Sequence, residues 1–222
     1  MDYQFLSKTP LFAQTTAEET QRMLSCMEAI IKIFQKDDFI MQAGDKIEYM
    51  GCVLSGSVYI MRDDIWGNRT ILGQMGPGQI FAETYACIPG ASLMVSVIAK
   101  EKSEILFIHA GKILKTCTQA CSSHQQVIYN LVQICAQKNL HLSQKILYTS
   151  SKMIRDRLLL YLSDQAKVAG TLSFCIPFNR QQLADYLNVD RSAMSNELSK
   201  MQKEGILTYR KNSFVLKETF DM

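Results

Sequence analysis

Arg191, Ser192, Ser195, Asn196, Ser199 and Lys203 fall within one short stretch, at spacings that gather them on one side of a helix. Short hydroxyls, an amide and cations are the groups that hydrogen-bond base edges and phosphates. An arginine can fork onto guanine O6 and N7, an asparagine onto adenine, and small hydroxyls reach the sugar-phosphate backbone. On the opposite side Met194, Leu198 and Met201 form an apolar stripe, so this helix has one face to bury and one to present.

The elements that must position that face lie on either side of it. Asn179 can cap a first helix, and Gln182 stands three residues on, where a capping box takes Glu or Gln. Leu183 and Leu187 face inward, and Ala184 is small enough for a second helix to cross closely. Asn188 tolerates a left-handed turn, Asp190 caps the second helix over 191–204, and Gly205 ends it. The β-prone runs 206–209 and 213–216 then flank Arg210, Lys211 and Asn212, a hairpin with a basic tip. Taken alone, the two helices also fit an ordinary helical hairpin with a polar exterior. With the basic hairpin added they predict a winged helix-turn-helix whose recognition helix is 191–204 and whose partner is double-stranded DNA.

Charge follows the same division. The net charge is +3, but residues 1–151 carry 13 basic and 13 acidic side chains, whereas residues 152–222 carry 11 and 8. The excess therefore sits with the helix-turn-helix, as suits a polyanionic partner. With 222 residues, 47% hydrophobic and 20% charged, the chain is long enough for two cores. No apolar run approaches the roughly 18 residues of a membrane span, and the start lacks the basic and apolar regions of a signal peptide. A cytoplasmic protein is expected. Seven scattered cysteines, an odd number with no CxxC pair, fit a reducing compartment rather than a disulfide framework. Cys117, Cys121 and His124 have a spacing that could form part of a metal site, although most such clusters are incidental. The three histidines are isolated, and no G-x-S-x-G, HExxH or P-loop occurs, so the common enzyme classes find no machinery here.

Upstream the pattern changes twice. Residues 1–36 read as short helices, with Thr15 and Thr16 capping an amphipathic run over 17–27. From Ile33 to Ile108, short β-rich runs alternate with turn residues, as in a small barrel or sandwich. Gly76-Pro77-Gly78 is no dinucleotide loop, because the third glycine is absent and β-structure is expected after it. Residues 110–151 read as helix. Within them Ile128, Val132, Cys135, Asn139, Leu142, Ile146 and Thr149 alternate by four and three, a seam that wants a partner helix or lies on the chain's own β-domain. Ser150-Ser151 makes a hinge before a helix over 152–165, whose Ile154, Leu158, Leu159 and Leu162 enter the core of the last domain.

The winged helix, the run VLSGSVYI at 53–60 and the long helix between them together resemble the Crp/Fnr family of bacterial regulators, over nearly the whole chain. The resemblance implies an α+β chain in three parts. These are a cyclic-nucleotide-binding-like β-roll sensor over 1–110, a dimerisation helix over 111–150 and the winged helix-turn-helix over 151–222. It also implies a homodimer on a pseudo-palindromic operator, with RNA polymerase as a further partner. Arg191 matches the family's guanine-reading arginine. Asn196 and Ser192 stand where the cyclic-AMP-binding members carry a second arginine and a glutamate, so the operator should differ from theirs. Arg180, Gln181, Lys200 and Lys211 would hold phosphates, Ser195 would stand on the reading face, and Asp190 replaces an expected phosphate-contacting serine.

The family's nucleotide cassette is only partly kept. Glu83 holds the place of the ribose-binding acid, but the Arg-Ser pair that holds the cyclic phosphate becomes Leu93 and Met94. The adenine-contacting Thr-Ser on the long helix becomes Leu142-Ser143. Leu93, Met94 and Val95 either fill the pocket, leaving a plain scaffold, or line a site for an apolar or aromatic effector anchored at Glu83. Haem or iron–sulfur sensing is a third course, though the N-terminal region offers only Cys26. An effector-binding signalling protein with a vestigial DNA domain is the rival to a working regulator, and the intact Arg191 face opposes it. A cyclic phosphate needs a charge-assisted partner, and an apolar pair supplies none. Millimolar cyclic AMP or cyclic GMP should therefore leave the melting temperature unchanged in a thermal-unfolding assay. A ligand at 100 times its dissociation constant would add about 2.7 kcal/mol of stability and shift the temperature visibly.

Overall fold

The computed structural model describes residues 1–64, 66, 69–114 and 122–217. These form two compact units, Met1–Ala136 and Gln137–Met222.

In the first unit a short helix α1 (Tyr3–Leu6) and a 3-10 turn at Pro10–Phe12 lead to α2 (Ala17–Cys26). Thr16 and Glu19 close a reciprocal capping box at the start of α2, satisfying two backbone donors that the helix cannot bond itself. Strands β1 (Ile30–Phe34), β2 (Phe39–Met41), β3 (Tyr49–Ser55), β4 (Val58–Asp63), β5 (Arg69–Met75) and β6 (Ile80–Phe81) follow. After a one-turn helix α3 (Glu83–Ala86) come β7 (Ser96–Ala99), β8 (Ser103–His109) and α4 (Ala110–Leu114). The strands build two four-stranded antiparallel sheets, ordered β1-β8-β3-β6 and β2-β7-β4-β5.

Strand periodicity explains why β3 and β8 are almost wholly apolar. Their alternate residues point to opposite faces, and both faces are covered. Val53, Ile105 and Phe107 join Val58, Val97 and Phe81 in a core between the sheets. Met50, Cys52, Leu106 and Ile108 join Leu11, Phe12, Met23 and Leu24 beneath the N-terminal helices. Gly56 turns the chain from β3 to β4 with φ +76, and a Cβ there would fall 2.5 Å from the Lys102 carbonyl oxygen. Both the left-handed backbone and the lack of space call for glycine.

Helix α5 (Ser122–Thr149) begins in the first unit and ends in the second. Its early residues Val127 and Leu131 pack beneath the sheet. Asn130, also buried, donates through Nδ2 to the carbonyls of Leu11 (3.0 Å) and Ala13 (2.8 Å). The expected seam is thus divided, since Ile128 and Cys135 also pack half-buried against this core. Val132, Leu142 and Ile146 stand 58%, 58% and 68% exposed.

The second unit contains α6 (Ile154–Ala169), β9 (Ser173–Cys175), α7 (Arg180–Leu187), α8 (Arg191–Lys203), β10 (Leu207–Arg210) and β11 (Ser213–Leu216). Helix α6 runs four residues beyond its expected end and stops at Gly170, whose φ of +65 makes a left-handed cap. The strands form one antiparallel sheet, β10-β11-β9. Leu158, Leu162, Leu183, Leu187, Met194 and Leu198 make its fully buried core.

Two arginines of α6 hold the helical hairpin in place. Arg155 donates from Nε to Glu197 (2.6 Å) and grips Glu204 with both terminal nitrogens (2.8 and 2.9 Å). Arg157 donates from Nη1 to the carbonyls of Leu187 (3.0 Å) and Asn188 (2.8 Å), and from Nε to that of Ser151 (2.7 Å). The hydrogen bonds from Arg155 hold the Glu204 carboxyl below its ordinary value of 4.5. A lowered folded-state value stabilises above the unfolded value and is lost as pH falls through the lower one. Arg155→Met should therefore lower the urea midpoint at neutral pH, and its deficit against the parent should shrink as pH drops below about 4. Parallel urea titrations at neutral and acid pH would check this, and an equal deficit at both would refute it.

Candidate nucleic-acid interface

The helical hairpin follows from local chemistry. The Asn179 side chain accepts from the Gln182 amide (2.9 Å) while the Gln182 side chain accepts from the Asn179 amide (2.9 Å). Asn188 takes φ 53 and ψ 55 at the turn, and the Asp190 carboxylate accepts from the Ala193 amide (2.7 Å) to start α8. The helix ends at Lys203, and Gly205 follows with φ +80. Met194, Leu198 and Met201 are fully buried.

That anchorage turns the polar face outward. Arg191, Ser192, Asn196 and Lys200 are exposed along α8, and Ser195 is half-buried beside them. Arg191 and Ser192 stand in its first turn, where the helix dipole favours an anion. Ser199 donates to the Ser195 carbonyl (3.0 Å) and meets the Tyr209 hydroxyl (3.3 Å), which ties the helix to β10. Lys200 Nζ lies 3.9 Å from a Glu197 oxygen, at the limit of an ion pair. Gln181 is exposed on α7 and donates to Asp185 (2.8 Å).

Arg180 is less free than expected of a surface cation. Its guanidinium stacks 4.5 Å from the Tyr209 ring centre and 5.1 Å from that of Phe214. Burial lowers its pKa from the usual value, and Nη2 is enclosed without a hydrogen-bond partner among the described residues. Lys211 is exposed between β10 and β11 with φ 54. Both residues line one cavity of about 430 Å³, with Asn179 and Asn212 beside them. The structure thus brings two proposed phosphate-holding cations together at the start of α7.

The effector candidates are dispersed in character. Glu83 and Leu93 are buried, Leu93 within the core between the two sheets, whereas Met94 is 67% exposed. Leu142 is exposed and belongs to the other unit. A cavity of about 750 Å³ in the first unit is lined instead by residues including Ile40, Met41, Lys46, Tyr49, Phe107 and His109. Cys117 and Cys121 lie outside the described residues. His124 is buried with Nε2 2.7 Å from the Ile113 carbonyl oxygen. Among the described residues no three metal-ligating side chains cluster, and no helix is long and apolar enough to cross a membrane.

Sequence reasoning missed Arg155 and Arg157. A faint signal existed in Glu197 and Glu204, seven residues apart and so on one face of α8, where they call for a facing cation. It also missed the aromatic cluster of Tyr148, Tyr161, Phe178 and Tyr186, whose neighbouring ring centres lie 4.9–6.2 Å apart.

Comparison with known proteins matches both units. Residues 31–120 match the family model of the cyclic nucleotide-binding domain, and residues 157–219 that of the Crp-like helix-turn-helix domain. Between them the two take in well over half of the chain. The catabolite activator protein of Thermus thermophilus has a similar structure, at 22% identity and a TM-score of 0.57, covering 95% of this chain and 94% of that one. The global regulator CLP of Xanthomonas campestris, described as responsive to c-di-GMP, is 21% identical with a TM-score of 0.54, over 91% of this chain and 100% of its own. CprK, solved in complex with OCPA, is 15% identical with a TM-score of 0.61, over 90% and 91%. At these identities the solved structures show the fold alone. No curated protein matches in sequence. A cyclic-nucleotide-binding-like roll followed by a winged, Crp-like helix-turn-helix makes this chain a member of the Crp/Fnr family of transcription regulators.

Proposed function

We propose that this DNA-binding regulator works as a cytoplasmic homodimer, reading a pseudo-palindromic operator with two copies of α8 set about 34 Å apart in successive major grooves. The observation that carries the reading is the division of α8, with Arg191, Ser192, Asn196 and Lys200 exposed above a fully buried apolar stripe. Arg191 reads a base, with Ser192, Ser195 and Asn196 beside it. Arg180, Gln181, Lys200 and Lys211 hold phosphates, and the cavity shared by Arg180 and Lys211 supports this role. The division into a roll over 1–110, a dimerisation helix over 111–150 and a winged helix over 151–222 belongs to the same reading. RNA polymerase is the further partner such a regulator addresses. The roll takes an effector other than cyclic AMP, or none. The different ligands named for CLP and CprK support a roll that is adaptable in this respect.

Dimerisation is supported by the outer face of α5, where Val132, Leu140, Leu142, Ile146 and Leu147 are all more than half exposed. A row of large apolar side chains in water marks a contact surface. Leu142→Lys places like charges opposite one another in a two-fold pair and should yield monomers. Sedimentation at micromolar concentration would check this, and a monomeric parent protein would overturn the dimer.

Base reading and backbone holding separate by salt and sequence. Arg191→Ala should cost roughly 1–3 kcal/mol on the specific site and relax discrimination at one position in each half-site. Lys211→Ala should weaken all sequences alike and reduce the slope of log K against log salt by about one unit for each phosphate it no longer neutralises. Salt titrations on a selected operator and on scrambled DNA would test both. Equal losses on both DNAs for Arg191→Ala would show that the reading face is misassigned.

A further inference from the structure

A second cavity, about 610 Å³, opens in the C-terminal unit between α6 and the three-stranded sheet. Leu159, Leu160, Leu172, Ile206 and Leu216 wall it with apolar surface. Four of these pack one flank against the core and remain only half-buried, and Leu172 is 37% exposed. Its volume falls in the range of about 300–1,000 Å³ usual for small-molecule sites, which pair apolar walls with a few polar groups.

The polar groups on this lining are unevenly committed. Asp156 accepts from the Ser151 hydroxyl (2.8 Å), and the Tyr148 hydroxyl donates to Asp164 (3.2 Å). Lys217 also lines the cavity and has no ion-pair partner among the described residues. Arg157 spends Nε and Nη1 on three carbonyls. A guanidinium has five N–H donors, and Nη2 has no partner among the described residues. Apolar walls with two cations carrying spare donors are complementary to an anionic head on an apolar body.

We propose that this cavity binds a small amphiphilic anion, an organic carboxylate with an apolar chain, with its head at Arg157 and Lys217. None of its lining residues belongs to the reading face of α8 or to the nucleotide cassette. Arg157 nevertheless makes the site consequential, because the same guanidinium holds the turn between α7 and α8. A carboxylate is a stronger acceptor than an amide carbonyl. A carboxylate held at Nη2 pulls on the same rigid plane whose Nη1 serves Leu187 and Asn188, so occupancy lengthens those two bonds and loosens the turn, lowering operator affinity. This last step rests on the proposed reading of DNA, whereas binding itself does not.

Decanoate below its micellar concentration is the probe, with decanol as the uncharged control and calorimetry on the full-length protein as the readout. Decanoate should bind saturably below about 1 mM, a strength of some 4 kcal/mol, and decanol at least several-fold more weakly. Leu160→Trp should abolish binding by filling the space, and Lys217→Gln, at an exposed position, should weaken decanoate several-fold while leaving decanol unchanged. Absence of saturable binding, equal binding of acid and alcohol, or indifference to both substitutions would overturn the site. Operator affinity is measured separately with and without decanoate. A fall confirms the coupling through Arg157. Unchanged affinity on a protein that binds both ligand and DNA would refute the coupling alone, and failure to bind DNA would count against the reading of α8.

Discussion

The grip of Arg155 and Arg157 on the helical hairpin is the constraint under which the C-terminal unit operates. A recognition helix is useful only if its outward face is held at a fixed angle. Apolar contacts through Met194, Leu198 and Met201 are non-directional, so they set depth better than rotation. The paired donors of a guanidinium add direction, because their planar fork meets a carboxylate in one geometry. Arg155 fixes α8 at Glu197 and Glu204, while Arg157 fixes the end of α7 and the turn. One turn of α6 thus governs both halves of the motif. Tyr209, meeting Ser199 and stacking under Arg180, extends the same restraint to the wing.

Helix α5 answers to two different surroundings along its length. Its first turns behave as core, with Val127 and Leu131 buried and Asn130 spending its amide on two backbone carbonyls. Further on, large apolar side chains stand in solvent.

The parts of this arrangement that were legible in the sequence are those written within a few residues of themselves. The box at Asn179 and Gln182, the left-handed Asn188, the Asp190 cap and the stripe on α8 each need only a spacing of three or four. The short β-rich runs of the roll and the turn residues between them are equally local. What escaped depends on partners far along the chain: Arg155 finds carboxylates 42 and 49 residues away, and Arg157 finds carbonyls 30 and 31 away. Arg180 and Lys211 look alike as cations, yet one is stacked on two rings and the other stands in solvent at a turn. Leu93 and Met94 looked like one apolar pair, but the chain bends at Met94 ahead of β7, and only Leu93 enters the core. The seam on α5 is divided, since Ile128 and Cys135 pack on the core of the first unit while Val132, Leu142 and Ile146 face solvent, and periodicity alone does not tell which positions a helix's own core will take.

The two bonds from Asn130 also bear on how the chain is made. They reach back 119 and 117 residues to Leu11 and Ala13, and Ser123 reaches 104 residues to Glu19. At a synthesis rate of about 5–20 residues per second, the N-terminal helices emerge roughly 6–24 seconds before the residue that fastens them exists. Throughout that interval Leu11 and Phe12 lack the α5 side of their core. The C-terminal unit waits less, since Arg155 reaches its two carboxylates only 42 and 49 residues on. The N-terminal unit therefore leaves its apolar surface uncovered for longer during synthesis, and slowed translation would prolong that exposure.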